Sequence, residues 1–406
     1  NLFQSLVGVA SVQLETAGSA KKEVAFAALS KTTAEALKNR LESFIEELPQ
    51  VENANNQEEN TSKNTAQQPK RPSKKLLLKL DIIDLFKIGI TQNHLRNGFL
   101  ALVAVYSFSF QFSLFDWTDL DPYFSSLEEQ DASKVFSGFA IILVAVGIVL
   151  FILISILLSL AKTVIDFYDF KLEADEKNLY IRTGLLVRKE YKVPINKIQM
   201  LEFESNPLRK IFGFETLKVL QAQPEDVGNK QSKSIYIPAC TPPIAKNIET
   251  LVFDYTDEHL DIIQPNATSY ARISAIYWML FFGVIFIGFW VFLNAYLINL
   301  TLLAILGLAS ISWSYYFGKS VSLASNEDFF VSKYSFFTPT RCIIPNYKLQ
   351  NLTAVQPIFL KQRKEAHLKL FTASGDQKIR YLKLDVLQRV YNFGLEKVIG
   401  SKRAWM

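Results

Sequence analysis

The stretch PINKIQ at residues 194–199 decides the fold, because it returns as PNYKLQ at residues 345–350. Each copy follows a long apolar segment and a set of short strand-like runs. Self-similarity of this kind indicates a duplicated unit, here an apolar hairpin followed by a polar domain. A second echo, NLFQSLVG at 1–8 against NPLRKIFG at 206–213, indicates that the polar domain occurs three times. We expect the upstream part of its first copy to be missing from this sequence.

Four uncharged blocks interrupt the chain and predict transmembrane helices. A bilayer core of about 30 Å is crossed by roughly 20 apolar residues in a helix, and each block is at or near this length. Uncharged runs of this kind are rare in soluble cores, so buried helices of a soluble protein are the weaker interpretation. The blocks form two hairpins and comprise residues 98–115, 135–161, 273–293 and 295–317.

The loop at 116–134, between the first two blocks, is acidic. It carries six Asp and Glu residues against a single Lys134, whereas the rest of the chain is basic. The positive-inside rule then predicts a cell-membrane protein with this loop outside and the polar domains in the cytoplasm. The two cysteines, Cys240 and Cys342, exclude a disulfide framework and are typical of reduced cytoplasmic thiols.

The pattern of strand-like runs and amphipathic helices predicts an α+β multi-pass membrane protein. Small β-sandwich or open-barrel domains, each closed by a C-terminal helix, alternate with transmembrane helical hairpins. Residues 49–75 are rich in Asn, Gln, Glu, Lys and Pro and are predicted to form a disordered linker. The segments are the C-terminal half of a first domain at 1–48, the linker at 49–75, an amphipathic lead-in with the first hairpin at 76–161, the second domain at 166–258, the second hairpin at 272–317 and the third domain at 319–406.

The chain resembles the bacterial pleckstrin-homology-like (bPH2) membrane proteins of the YdbT-like group. The resemblance rests on the hairpin-plus-domain unit, the NPLRKIFG run at 206–213, its echo at 1–8 and the ETAG run at 15–18. It implies PH-like folds, with two roughly orthogonal small sheets capped by a helix. It also implies a smaller YdbS-like membrane paralogue as partner and a role in protecting the envelope against membrane-active peptides. The third domain departs from the motif, with QPIF at 356–359 and no counterpart of Gly213.

No arrangement of side chains in the sequence predicts catalysis, and we expect the protein not to be an enzyme. His259 lies in DYTDEHLD at 254–261, whose carboxylates match no established zinc or calcium spacing, so a solvated acidic linker is preferred to a metal site. His94 and His367 have no Ser or Cys at nucleophile spacing, and no glycine-rich phosphate loop is present. We therefore predict no catalytic, cofactor-binding or metal-binding residues.

Basic clusters on turns are the candidate lipid sites. In PH-like folds, loops at the open end of the barrel can present such residues to phospholipid headgroups. A domain tethered at a membrane gains about 1 kcal/mol from anionic lipid for each basic residue near the surface. A charged, solvated loop is the alternative interpretation, and stereospecific recognition of one lipid is less favoured than either. The candidates are Arg188, Lys189, Arg209, Lys210, Lys361, Arg363 and Lys364.

These features predict a non-enzymatic membrane scaffold whose PH-like domains mediate complex assembly and contact anionic lipid. The resemblance adds envelope stress or antimicrobial-peptide resistance as its setting. The alternative is a component of a transporter or lipid-transfer system, which needs charged or paired polar groups inside the spans, and the four blocks contain no charged residue. Strand-rich domains expose sheet edges, which must be covered internally or by a partner. We expect membrane lipids, the YdbS-like paralogue and further copies of the chain as partners, and no nucleic acid.

Overall fold

The computed structural model describes residues 9–14, 24–30, 32–37, 40–41, 74–111, 138–222, 234–256, 260–292, 298–334 and 338–400. The predicted acidic loop at 116–134 and nearly all of the predicted linker at 49–75 lie outside these residues. The chain forms two compact units. One comprises Leu76–Leu172 and Ile181–Tyr191, and the other comprises Asn1–Lys75, Glu173–Tyr180 and Lys192–Met406.

The described chain contains runs of strands separated by helices. The strands are β1 (Val9–Leu14), β2 (Val24–Ser30), β3 (Lys75–Lys79), β4 (Lys171–Ala174), β5 (Asn178–Thr183), β6 (Lys189–Pro194), β7 (Ile198–Glu204), β8 (Glu215–Gln221), β9 (Ser234–Cys240), β10 (Asp261–Ile263), β11 (Ser322–Ser325), β12 (Phe329–Tyr334), β13 (Thr340–Pro345), β14 (Leu349–Val355), β15 (Glu365–Thr372) and β16 (Gly375–Lys383). The helices are α1 (Ile82–Ile90), α2 (His94–Gln111), α3 (Gly138–Phe167), α4 (Pro207–Ile211), α5 (Pro242–Phe253), α6 (Ala267–Phe292), α7 (Ile298–Ser320), α8 (Ile358–Lys361) and α9 (Leu384–Gly400). Residues 32–37 are also helical.

The same order of elements occurs twice. We call β3 to α5 module A, with α1 to α3 inserted after its first strand, and β10 to α9 module B, with α6 and α7 inserted in the same place. In each module the strand before the inserted helices neighbours the strand after them, β3 beside β4 and β10 beside β11. The domain boundaries drawn from the sequence at 166 and 319 therefore leave out a strand that the structure assigns to the same sheet.

The repeated motif turns the chain from one sheet into the next. In both modules a proline, whose φ is fixed, precedes a short 3₁₀ turn, Ile195–Lys197 in module A and Asn346–Lys348 in module B. The first backbone N–H of each turn donates to a carbonyl of an earlier turn, at 2.9 Å in module A and 2.8 Å in module B. Lys348 is 2% exposed and its Nζ donates to the carbonyl of Asn196 at 2.6 Å. The two copies of the motif therefore contact each other.

One seven-stranded sheet joins the modules, with the strand order β10-β11-β12-β13-β7-β8-β9. Strand β13 of module B pairs antiparallel with β7 of module A, from Thr340 opposite Glu204 to Ile343 opposite Leu201. The other sheets are β1-β2, β3-β4-β5-β6 and β14-β15-β16. The exposed sheet edges expected from the sequence are thus partly covered internally, because β13 and β7 pair with each other.

The hydrophobic core of module B extends into module A. Met200 on β7 and Leu220 on β8 belong to the same buried cluster as Phe330, Leu352 and Leu368. The Sγ atom of Cys342 lies 3.5 Å from the Sδ atom of Met200. Burial of apolar surface stabilises by about 25 cal/mol per Å², so module B depends on module A for part of its core energy.

Helix α5 and the residues after it bridge the same junction. The carboxylate of Glu249, a residue that is 4% exposed, forms an ion pair with Arg341 on β13. The Arg341 guanidinium lies 4.6 Å from the centre of the Phe203 ring. Tyr255 packs edge-on against Phe329 with ring centres 5.1 Å apart. The ion pair and the ring contact stabilise the arrangement of the two modules on one sheet.

Long helices cover the described parts of the four predicted membrane blocks, as α2, α3, α6 and α7. Among the described residues, one segment, Ala145–Phe167 within α3, is long and apolar enough to cross a membrane. Helices α2 and α3 pack together, and Asn97 Nδ2 donates to Ser159 Oγ at 2.8 Å. Helices α6 and α7 also pack together.

Candidate lipid-facing site

The turn between β5 and β6 is fixed to the end of helix α3. The backbone N–H groups of Gly184 and Leu185 each donate at 3.0 Å, to the carbonyls of Tyr168 and Ile165. Gly184 has a φ of +110°, and a Cβ there would lie 2.2 Å from the carbonyl oxygen of Val187. Glycine is therefore required for this close approach.

This turn presents apolar side chains followed by basic ones. Leu185, Leu186 and Val187 are between 37% and 44% exposed, and Arg188 and Lys189 are exposed. Because the turn bonds to the end of α3, it lies where the apolar segment of that helix stops. Two of the predicted lipid candidates are thus found beside a helix end that meets the membrane interface if α3 spans the bilayer.

The short helix α4 of module A carries the next two candidates. Asn206 caps it by accepting a hydrogen bond from the backbone N–H of Arg209 at 2.7 Å. Lys210 is exposed, and so is Ile211 at 77%. The side chain of Arg209 is instead half-buried beside Glu204, and burial lowers its pKa although the Glu204 charge raises it. Lys210 is therefore exposed, as contact with a headgroup requires, whereas Arg209 is partly buried within the electrostatic field of Glu204 on β7.

The last three candidates lie on the equivalent helix α8 of module B and in the turn that follows it. Lys361, Arg363 and Lys364 are all exposed. Ile358 and Phe359, at the start of the helix, are 84% and 85% exposed. No carboxylate lies between Pro357 and Lys364 in the sequence. This turn therefore combines basic charge with apolar side chains that have no cover within the described chain.

Glu365 ties the end of this turn to helix α6. It is 2% exposed, and its carboxylate accepts hydrogen bonds from Asn266 Nδ2 at 2.6 Å and from Ser269 Oγ at 2.7 and 2.9 Å. The backbone N–H of Leu384 donates to the carbonyl of Lys364 at 2.8 Å. An acidic side chain at a helix N-terminus is stabilised by the helix dipole. The α8 turn is therefore held at the first turn of α6.

A polar cluster on the shared sheet was missed by sequence reasoning. Lys218 on β8 forms an ion pair with Glu204 and lies 3.5 Å from Glu202. Burial raises the pKa of Glu202, although the Lys218 charge opposes this. The detectable signal was the Glu-x-Glu spacing on β7, which places both carboxylates on one face of a strand. The cluster is a satisfied structural network, of the kind that fixes a unique arrangement.

The described residues hold no group of three or more His, Cys, Asp or Glu side chains placed to bind a metal ion. His259, which the sequence left as the weaker metal candidate, lies outside them. Cys240 and Cys342 are free and buried, and burial raises the pKa of Cys240 to about 12. A thiol with a raised pKa is a poor nucleophile at neutral pH.

Comparison with known proteins identifies the modules. The family model described as "Bacterial PH domain" matches residues 134–255 and again residues 280–398. A curated relative, the UPF0699 transmembrane protein YdbT of Bacillus subtilis (strain 168), is 24% identical over 224 residues. That alignment covers 54% of this chain and 42% of the relative, so the chain matches less than half of the relative's length. The first match covers module A from α3 onward and the second covers module B from within α6 onward, so the first strand of each module, β3 or β10, lies outside its match.

Proposed function

Because the chain belongs to the bacterial PH domain family, we propose that it is a non-enzymatic multi-pass membrane scaffold. In this proposal α2, α3, α6 and α7 form two transmembrane hairpins, and the PH-like domains face the cytoplasm. These domains hold a complex together and contact anionic lipid, in envelope stress or antimicrobial-peptide resistance. The transmembrane relative in Bacillus subtilis and the apolar segment Ala145–Phe167 support a membrane location.

The observation that carries the proposal is the shared seven-stranded sheet. It contains β10 and β11, the two strands that flank the helical pair α6 and α7, and it also contains β7 to β9 of module A. The helical hairpin formed by α6 and α7 is joined at both ends to strands of this sheet. It therefore cannot tilt or rotate without moving the sheet. Such a construction suits a platform of fixed geometry, whereas a transporter needs elements that move against each other.

Assembly is the second part of the proposal. Strands β6 and β14 lie at the ends of their sheets among the described strands. An open strand edge can pair with another chain, and β13 on β7 is an example of a PH-like module docking through such an edge. The YdbS-like paralogue and further copies of this chain are the partners that we propose, together with membrane lipids.

Purification of the protein at native expression tests the assembly directly. Extraction in mild detergent, followed by mass spectrometry of proteins and lipids, should recover a second membrane protein in fixed stoichiometry, with anionic phospholipid. A lone monomer that carries no lipid above the level of a control membrane protein would contradict the scaffold.

Topology is tested with an impermeant maleimide on intact cells. A cysteine at Ser125, in the predicted outer loop, should react, and a cysteine at the exposed Asp376 of module B should react only after lysis. The native thiols form a silent background because both are buried. Labelling of Asp376→Cys on intact cells would reverse the orientation.

A further inference from the structure

The most exposed apolar side chains belong to a turn rather than to a helix that could face lipid. Ile358 and Phe359 exceed every other large hydrophobic residue for which the structure gives an exposed fraction, including Met279 on α6 at 76%. A soluble surface seldom leaves two adjacent large apolar side chains uncovered, since exposed apolar patches mark sites of interaction with a partner or a membrane.

We propose that this turn, Pro357–Lys364, which we call the α8 wedge, enters the headgroup region of an anionic bilayer. Ile358 and Phe359 lie below the phosphates, and the three basic side chains of the wedge lie among them. The inference rests on the proposed function in one respect, namely that α6 crosses the membrane.

The position of the wedge supports this assignment. Glu365 follows it directly and is hydrogen-bonded to Asn266 and Ser269 at the start of α6. Asn266 also donates its backbone N–H to the carbonyl of Tyr381 at 2.8 Å, on the strand next to β15. The wedge therefore lies at the end of module B from which α6 leaves, and this is the end that meets the bilayer surface.

The wedge is also preorganised. Leu360 is 3% exposed and anchors the helix in the module, while Ile358 and Phe359, the two residues before it, are exposed to solvent. Backbone N–H groups of Arg363 and Lys364 donate to carbonyls within the turn at 3.2 Å, and Gln356 Nε2 donates to the carbonyl of Glu365 at 3.1 Å. Side chains that are already held outward lose little entropy when they insert.

Charge selects the bilayer as the occupant. Lys361, Arg363 and Lys364 are all exposed, and the wedge contains no carboxylate that would offset them. Apolar side chains next to basic ones are the composition of interfacial membrane anchors, in which the apolar part inserts and the basic part meets anionic lipid.

Spin labels on single cysteines of the full chain in nanodiscs test the wedge. The label at Phe359→Cys should be severalfold more accessible to oxygen, relative to a water-soluble nickel complex, than the label at Ile399→Cys. Ile399 is the matched control because it is 80% exposed and lies near the far end of α9. That helix starts next to the wedge and its 17 residues extend about 25 Å. The native cysteines are buried and remain unlabelled.

A third label, at Met279→Cys on α6, separates the two proposals. If Met279 reports lipid and Phe359 reports water, the wedge is wrong and the transmembrane hairpin stands. If Met279 also reports water, the proposed function fails with it. A label at Phe359 that is shielded from both reagents indicates a protein contact with a second copy and equally overturns the wedge.

Lipid composition tests the charged part. Joint replacement of Lys361, Arg363 and Lys364 by Gln should move the Phe359 label toward water on discs containing phosphatidylglycerol. The same replacement should have little effect on phosphatidylcholine discs, where no anionic surface attracts the bases. An unchanged depth on the anionic discs would refute the electrostatic part of the proposal.

Discussion

Strands β6 and β13 occupy the same place in modules A and B, yet one lies at a sheet edge and the other inside a sheet. In β13, Cys342, Ile343 and Ile344 are fully buried. In β6, Glu190 and Lys192 are exposed, and β6 is the last strand of its sheet. The comparison teaches that the position of a strand within the repeat does not decide its environment. The neighbouring module does.

The ion pairs on these strands follow the same division. The carboxylate of Glu190 on β6 accepts hydrogen bonds from Arg182 at 2.8 Å, with both side chains at least 42% exposed. At the equivalent position of β13, Arg341 binds the buried Glu249 on a different element. Natural sheet edges carry charges of the β6 kind because these discourage further pairing.

The largest effect should come from exchanging residues between the two strands. Ile343→Lys places an ammonium group in a site that is completely buried opposite Leu201. We expect the free energy of unfolding to fall by about 3 kcal/mol or more, because a buried charge without a partner is costly. Thermal unfolding in detergent should show this as a loss of roughly 10 °C in Tm.

The matched control is Lys192→Ile on β6, which should change the free energy of unfolding by less than about 0.5 kcal/mol since the site is exposed. Equal effects of the two variants would contradict the assignment of β13 to the interior of the shared sheet.

Removal of the buried carboxylate should be the next largest effect. Glu249→Gln leaves the Arg341 guanidinium half-buried and facing a neutral amide. The expected loss is about 2 kcal/mol, in the range for hydrogen bonds to charged groups. The double variant with Arg341→Met should be less destabilised than the sum of the two single variants, because neither then leaves an uncompensated charge. Strict additivity in this cycle would show that the pair does not couple the modules.

The pH dependence should differ between the modules because His367 has no titrating counterpart in module A, where Thr216 stands. Burial, together with the charges of Lys378 and Arg380, lowers the pKa of His367 from an ordinary value of 6.5 to about 4. Between these two values the unfolded chain binds more protons than the folded one, so stability falls as the pH falls. Tm should therefore decrease from pH 6.5 to 4.

His367→Thr should make Tm depend less on pH than it does in the unchanged chain. Carboxylates titrate in both proteins, so their contribution cancels in the comparison. Threonine is the residue at the equivalent position 216 of module A, and it replaces the imidazole whose Nδ1 accepts a hydrogen bond from the backbone N–H of Tyr381 at 3.2 Å. Parallel profiles for the two proteins would exclude His367 as their cause.

The smallest effect should come from the exposed pair on β6. Glu190→Gln breaks the ion pair with Arg182, and we expect a loss of less than about 1 kcal/mol because exposed pairs are weakened by solvent and salt. Denaturant titration of Glu190→Gln and Glu249→Gln should give clearly different losses in the free energy of unfolding. A loss at Glu190 as large as that at Glu249 would mean that β6 is covered as β13 is.

The amino-acid sequence by itself determined the local structure and the repeat. The proline-led motif, the cap at Asn206 and the apolar blocks act through φ restriction, local hydrogen bonding and helix-length runs of apolar side chains. These are properties of neighbouring residues, and a repeat makes them visible twice. The basic turns could be found in the same way, because charge on a turn needs no knowledge of the rest of the fold.

Only the tertiary structure decided which strands pair and which side chains become buried by that pairing. Backbone hydrogen bonds between strands carry little sequence information, so nothing in β13 or β7 names its partner. From the sequence, Met200 would be assigned to the core of module A, yet it belongs to the core cluster of module B. Arg209 reads as a surface base, yet Glu204 lies beside it. The alternation of apolar and polar residues along a strand shows which of its faces is buried. Only the long-range pairing of strands shows which residues that face packs against.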